Sequence, residues 1–151
     1  MNTKPFSTFE TGSLADWVNH SVELPGLGKI PGKLFLKEHL GLTGCEISIN
    51  ALQPGEVWPV NHTHQENEEI YFFIHGSGQM QVDGETLDVR EGSVVRINPS
   101  AARVWRNNST QMLVYLVIQM RAGSLRQYGL GDGVLVPGTV TWSAGKRPDK
   151  V

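Results

Sequence analysis

The residues with the most chemistry to offer are His62, His64 and Glu69. Only Thr63 separates the two histidines, and on an extended segment a period of two puts both imidazoles on one face. After four intervening residues, Glu69-Ile70-Tyr71-Phe72-Phe73-Ile74 is rich in aromatic and β-branched types and reads as a strand. Glu69, Tyr71 and Phe73 share one face of it. If that face meets the one bearing the histidines, two imidazoles and a carboxylate converge. Such a set binds Fe(II), Mn(II), Zn(II) or Ni(II) and leaves coordination positions open. Two histidines on a polar strand edge are also compatible with plain exposure, and the intervening Gln65-Glu66-Asn67-Glu68 reads as a hydrophilic loop.

The elements that must position these groups are strands. Seventeen glycines and eight prolines punctuate the chain, with short apolar or alternating runs between them. That rhythm is the signature of an all-β sandwich or barrel. Strand candidates are Lys33-Leu34-Phe35-Leu36-Lys37, Glu46 to Leu52, Val57 to His64, and the run from Glu69. Gln79 to Val82 and Glu85 to Val89 flank Asp83-Gly84, a dipeptide suited to a type I′ hairpin turn. Ser93 to Ile97, Arg103 to Arg106 and Met112 to Gln119 complete the set. Around Leu14 to Val18 a short helical turn is expected, capped by Thr11 or Ser13. The segment from Leu125 onward, rich in Gly and Pro, is expected to wrap the barrel or reach a partner subunit.

The stretch Gly55-x6-His62-x-His64-x4-Glu69-x6-Gly76 resembles the first motif of the cupin superfamily, with one extra residue between the glycine and the first histidine. A second, degenerate motif follows at matching spacing: Gly92-x5-Asn98-x-Ser100-x2-Arg103-x3-Asn107. The resemblance spans roughly residues 33 to 120. It implies a single-domain jelly-roll β-barrel (double-stranded β-helix), with an N-terminal arm over 1–32 and a C-terminal extension over 121–151. It also implies His62, His64 and Glu69 as metal ligands. It does not specify a reaction, since cupins include isomerases, dioxygenases, decarboxylases, sugar-binding regulators and storage proteins.

Arg103 stands where the resemblance leads one to expect a fourth ligand, a histidine. A guanidinium has no lone pair to offer a metal. At about 5 Å from a divalent ion and an effective dielectric near 20, its repulsion would cost on the order of 6 kcal/mol. Three arrangements follow. Arg103 clamps an anionic substrate beside a bound metal; or it pairs with Glu69 in a barrel without metal; or another side chain, from among His75, Gln79, Gln81 and Gln119, completes the metal shell. Tyr71 and Trp105 lie in register with Glu69 and Arg103 and should line the cavity, either as core aromatics or as a wall for a planar or sugar-like ligand.

Bulk properties narrow the field. With 151 residues the chain is long enough for one stable core. Thirteen Lys and Arg against fifteen Asp and Glu leave no basic excess for nucleic acid. No phosphate-binding glycine loop points to a nucleotide cofactor. The lone Cys45 reads as a structural thiol. No signal peptide or membrane-length apolar run is apparent, so a cytoplasmic location is expected. Phe72 and Ile74 should face away from the cavity, and a homodimer interface would account for them. Two functional classes remain open. One is a metal-dependent enzyme, an oxygenase or isomerase, acting on a small anionic or sugar-like molecule. The other is a metal-free binding or sensor module.

Overall fold

A computed structural model describes residues 4–145. Ten strands run in chain order: β1 (Ser21–Leu24), β2 (Gly28–Pro31), β3 (Lys33–Phe35), β4 (Glu46–Leu52), β5 (Asn67–His75), β6 (Ser77–Val82), β7 (Glu85–Arg90), β8 (Val94–Ile97), β9 (Arg103–Arg106) and β10 (Leu113–Arg121). They form a five-stranded sheet of order β3-β4-β10-β5-β8, a three-stranded sheet of order β7-β6-β9 and the small β1-β2 hairpin. All ladders are antiparallel. The interior lies between the two larger sheets and is filled by inward residues of alternating strands. Tyr71, Phe73, Met80, Trp105, Leu113 and Tyr115 are all buried there. This is the expected all-β jelly-roll barrel.

Two turns fix the register of the site strands. At the β6–β7 turn Asp83 (φ 48°) and Gly84 (φ 88°) both take positive φ, as a type I′ hairpin requires. Gly76, between β5 and β6, sits at φ 78°, and a Cβ there would run into the Met112 carbonyl. Only glycine lets β5 turn out of one sheet and into the other at this point.

The segment expected as a strand over Val57 to His64 is held instead by two isolated bridges, Val57 to Arg106 and His62 to Arg103. Pro59 interrupts the ladder in this stretch. The first expected strand ends early as well: Lys37–Leu40 forms one helical turn, α1, closed by Gly41 in the left-handed region. The expected N-terminal turn is present as a 3-10 helix, Leu14–Asn19, with Ser13 at its N-cap bonded to Asp16.

Outside the barrel, the N-terminal arm lays Phe9, Trp17 and Val18 over the outer face of the larger sheet, where Ile74 packs among them. Ile74 is therefore covered by the chain itself. Its neighbour Phe72 is 41% exposed and faces Val94, 54% exposed, across the β5–β8 ladder. Over its described residues, 121–145, the C-terminal extension does not pack on the barrel. Every described residue from 121 to 145 is exposed, including Tyr128, Leu135 and Trp142. Beyond Arg121, its Gly- and Pro-rich sequence forms no strand among the described residues that could pair with a sheet edge. No helix among the described residues is long and apolar enough to cross a membrane.

Candidate metal centre and cavity

The histidines are placed by backbone pairing rather than by a strand of their own. The N–H of His62 donates to the Arg103 carbonyl (3.2 Å), and the Arg103 N–H returns a bond to the His62 carbonyl (3.0 Å). Two residues on, the His64 N–H donates to the Pro99 carbonyl (2.8 Å). The segment is thereby stitched to β9 and to the turn before it, with both imidazoles facing inward. From the opposite sheet, β5 sends in Glu69 and Tyr71, both buried. One nitrogen from each histidine and one oxygen of Glu69 lie within 4.8 Å of one another.

Glu69 divides its two oxygens between two tasks. Oε2 accepts three hydrogen bonds: from Arg103 Nη2 (2.7 Å), Arg103 Nε (2.9 Å) and the Tyr71 hydroxyl (2.7 Å). Oε1 faces His64, whose Nε2 comes within 3.0 Å. That approach lacks hydrogen-bond alignment, and His64 Nε2 is buried without a partner. The two atoms are thus in ion-pair contact without an aligned hydrogen bond. Ligand atoms held at right angles on one ion at about 2.0–2.1 Å lie roughly 3 Å apart, so the spacing suits a shared cation.

The charge states fit as well. Burial pushes the Glu69 carboxyl up, but the bonds from Tyr71 and Arg103 and the guanidinium charge outweigh it and hold the group below the ordinary carboxylate range. Burial likewise lowers the His62 pKa and keeps the ring neutral at pH 7. Its Nδ1 lies 3.3 Å from the Val60 carbonyl, which favours the tautomer with Nε2 as a free lone pair.

Arg103 is fully buried, and each of its three guanidinium nitrogens already donates a hydrogen bond. Besides its bonds to Glu69, Nη1 reaches the carbonyls of Ala101 (3.1 Å), His62 (3.4 Å) and Pro99 (3.4 Å). Of the roles that the sequence leaves open for Arg103, the structure shows the pairing with Glu69: the guanidinium lies behind that carboxylate and outside the cavity lining. The repulsion anticipated between a guanidinium and a metal would be met by Glu69 itself, whose Oε2 is on Arg103 and whose Oε1 is toward His64. Trp105 and Tyr71 do line the cavity as expected, but their polar atoms are spent, Trp105 Nε1 on the Tyr115 hydroxyl (2.6 Å) and Tyr71 on Glu69. Of the four side chains considered as an extra ligand, Gln119 alone lines the cavity; it pairs with Glu69 in the β10–β5 register. Gln79 is turned outward onto Arg106. From the second motif, Asn107 is buried, with its amide on the Leu52 and Gln111 carbonyls, and it secures the turn between β9 and β10.

The cavity, about 270 Å³, also contains residues that sequence reasoning missed. Lys33 is 6% exposed, its Nζ bonded to Asn50 Oδ1 (2.8 Å) and Ser48 Oγ (3.0 Å). Burial drives its pKa down to about 8. A strand residue two before Phe35 must share its face, so alternation could have flagged Lys33 as an inward charge. Trp58, stacked on Trp105 at 4.9 Å, lines the same space.

Comparison with known proteins agrees with this geometry. The model of the cupin domain matches residues 49–119. A crystal structure of a cupin protein from Bacteroides fragilis is 39% identical to this chain, covers 70% of it and 89% of the bacteroidal chain, and superposes with a TM-score of 0.68. The chain belongs to the cupin family. An Acidithiobacillus ferrooxidans structure named "putative sugar phosphate isomerase" is 27% identical over 59% of this cupin and 58% of its own length (TM-score 0.54). A cupin barrel protein from Salinispora arenicola, at 18% identity over 69% and 83% of the two chains, shares the fold (TM-score 0.57). No functionally curated protein matches.

Two outcomes are expected. Replacing Arg103 by Met strands the Glu69 charge in the interior, and urea unfolding should show a loss of about 3–5 kcal/mol. Lys33 binds its proton less tightly folded (pKa about 8) than unfolded (10.5), so the unfolded state carries the extra proton between these values. Stability should therefore rise with pH across that window, the wild type gaining about 3 kcal/mol relative to Lys33→Met. Parallel pH–stability curves for the two proteins would contradict this.

Proposed function

We propose that this cupin holds one divalent transition metal, of the Fe, Mn, Zn or Ni class, on His62, His64 and Glu69. The metal would act on a small organic molecule that enters the barrel cavity. The observation that carries this reading is His64 Nε2, buried 3.0 Å from Glu69 Oε1 outside hydrogen-bond alignment and with no other partner among the described residues. When bound, the metal would supply Lewis acidity and open positions for a substrate atom, the chemistry of an oxygenase or isomerase. The chain's own residues have distinct tasks. Arg103 and Tyr71 keep Glu69 ionised and fix its orientation. The Val60 carbonyl sets the His62 tautomer. Tyr71 and Trp105 provide an apolar wall on one side of the ligand.

The Arg103–Glu69 ion pair also fits the metal-free reading, in which the barrel is a binding module. The two readings differ in a measurable way. After reconstitution, elemental analysis should find one transition-metal ion per chain, and His62→Ala and His64→Ala should each weaken retention by roughly tenfold or more. No stoichiometric metal in the folded wild type would establish the metal-free module instead.

We also propose a homodimer, supported by the exposed Phe72 and Val94 and by the exposed apolar residues of the C-terminal extension. Light scattering should give twice the 16.7 kDa chain mass, with Phe72→Glu shifting it toward the monomer. A monomeric wild type would exclude the dimer.

A further inference from the structure

Lys33 is a buried cation that the metal chemistry does not use. β3 is short, and its alternation turns Lys33 and Phe35 inward together, opposite Asn50 and Ser48 of β4. An ammonium carries three N–H donors. Two go to neutral acceptors, Asn50 Oδ1 and Ser48 Oγ, and the third meets no acceptor among the described residues. No carboxylate among the described residues lies within ion-pair distance of it. Glu69 and Glu46 act on Lys33 only at longer range: Glu69 is matched by Arg103, and Glu46 is bonded to the backbone of Lys37. A buried charge without a counter-ion is costly, and proteins retain one where something else supplies the opposite charge.

The surroundings indicate what would supply it. Lys33 Nζ lies 4.8 Å from the Phe35 ring centre and 5.3 Å from that of Trp58. Lys33, Phe35 and Trp58 line the same cavity as His62, His64 and Glu69. Trp58 Nε1 is a second buried donor there, without an acceptor among the described residues. Leu24, Val60 and Val117 make much of the remaining wall apolar. With Arg103 and Glu69 cancelling, the cavity carries the unmatched positive charge of Lys33, and a divalent ion on the histidines would add to it. One free N–H and a single positive charge, set among rings, suit a monoanionic planar group attached to an apolar body.

We propose that Lys33 anchors the carboxylate of a small organic acid whose apolar body lies along Phe35 and Trp58. The acid's far end then points to the His62–His64–Glu69 cluster. The inference rests on the reading that the barrel takes a small molecule, but it does not require the metal. Trp58 contributes a second donor to an oxygen of the ligand, and the carboxylate completes the coordination of the Lys33 ammonium.

Benzoate, its neutral counterpart benzamide, and phenyl phosphate serve as probes, each titrated calorimetrically into the full chain. Wild type and Lys33→Met are compared both zinc-loaded and chelator-treated, with zinc content measured separately for each. Benzoate should bind wild type at least tenfold more tightly than benzamide. Lys33→Met should lose that preference in both metal states while retaining the zinc content of wild type. Lys33→Arg, which keeps the charge, should recover part of it. The proposal is overturned if Lys33→Met binds benzoate as wild type does, if phenyl phosphate binds and benzoate does not, or if no benzoate binding is detectable at millimolar concentration. Failure of zinc loading with Lys33-dependent benzoate binding intact would refute the metal centre and leave the anchor standing.

Discussion

The structure turns on how one buried carboxylate is shared. Glu69 lies on the central face of β5, where an unpaired charge would cost several kcal/mol. Three donors from Arg103 and Tyr71 on Oε2 remove most of that cost and hold the group ionised, while Oε1 remains available toward the histidines. Arg103 in turn is held by three backbone carbonyls, one of them that of His62. The cation that supports the carboxylate therefore also helps fix the segment that carries the imidazoles. Removing any one of these groups disturbs the other two.

This arrangement assigns the two cations of the interior to different roles. Arg103, rigid, planar and multiply bonded, is structural: it is fully buried and faces away from the cavity. Lys33, held by only two neutral acceptors, keeps a donor free and a depressed pKa, and it faces the cavity. A guanidinium with five donors suits permanent burial among carbonyls. An ammonium with a spare proton suits a ligand that comes and goes.

Much of the fold was legible in the residues. Asp83-Gly84, Gly76 and the alternating runs of β5 and β9 led directly to the strands that carry Glu69, Tyr71, Arg103 and Trp105, and to their inward faces. The site cluster followed from spacing, because His62 and His64 share a period-two face whether or not they form a strand. What was not legible depended on distance in space. The length of a side chain cannot be aimed from sequence, so a ligand clamp and a pair with Glu69 both stay open for Arg103 until the structure shows its guanidinium on Glu69. Lys33 escaped notice because a lysine at the start of a strand is ordinarily solvated. Only the β1–β2 hairpin, Trp58 and the neighbouring strand together bury it. The C-terminal extension offered composition without periodicity, which says where a chain is not regular and nothing of what it packs against.

The central claim is that Oε1 of Glu69 and the two imidazoles face a common cation while Oε2 stays with Arg103. Diffraction from crystals of the metal-reconstituted protein, recorded at the absorption edge of the metal, tests it directly. The account predicts one anomalous peak bonded to His62 Nε2, His64 Nε2 and Glu69 Oε1, with Arg103 still paired to Oε2. A fully reconstituted crystal with no peak at this position, or with Arg103 drawn away from Glu69, would contradict it.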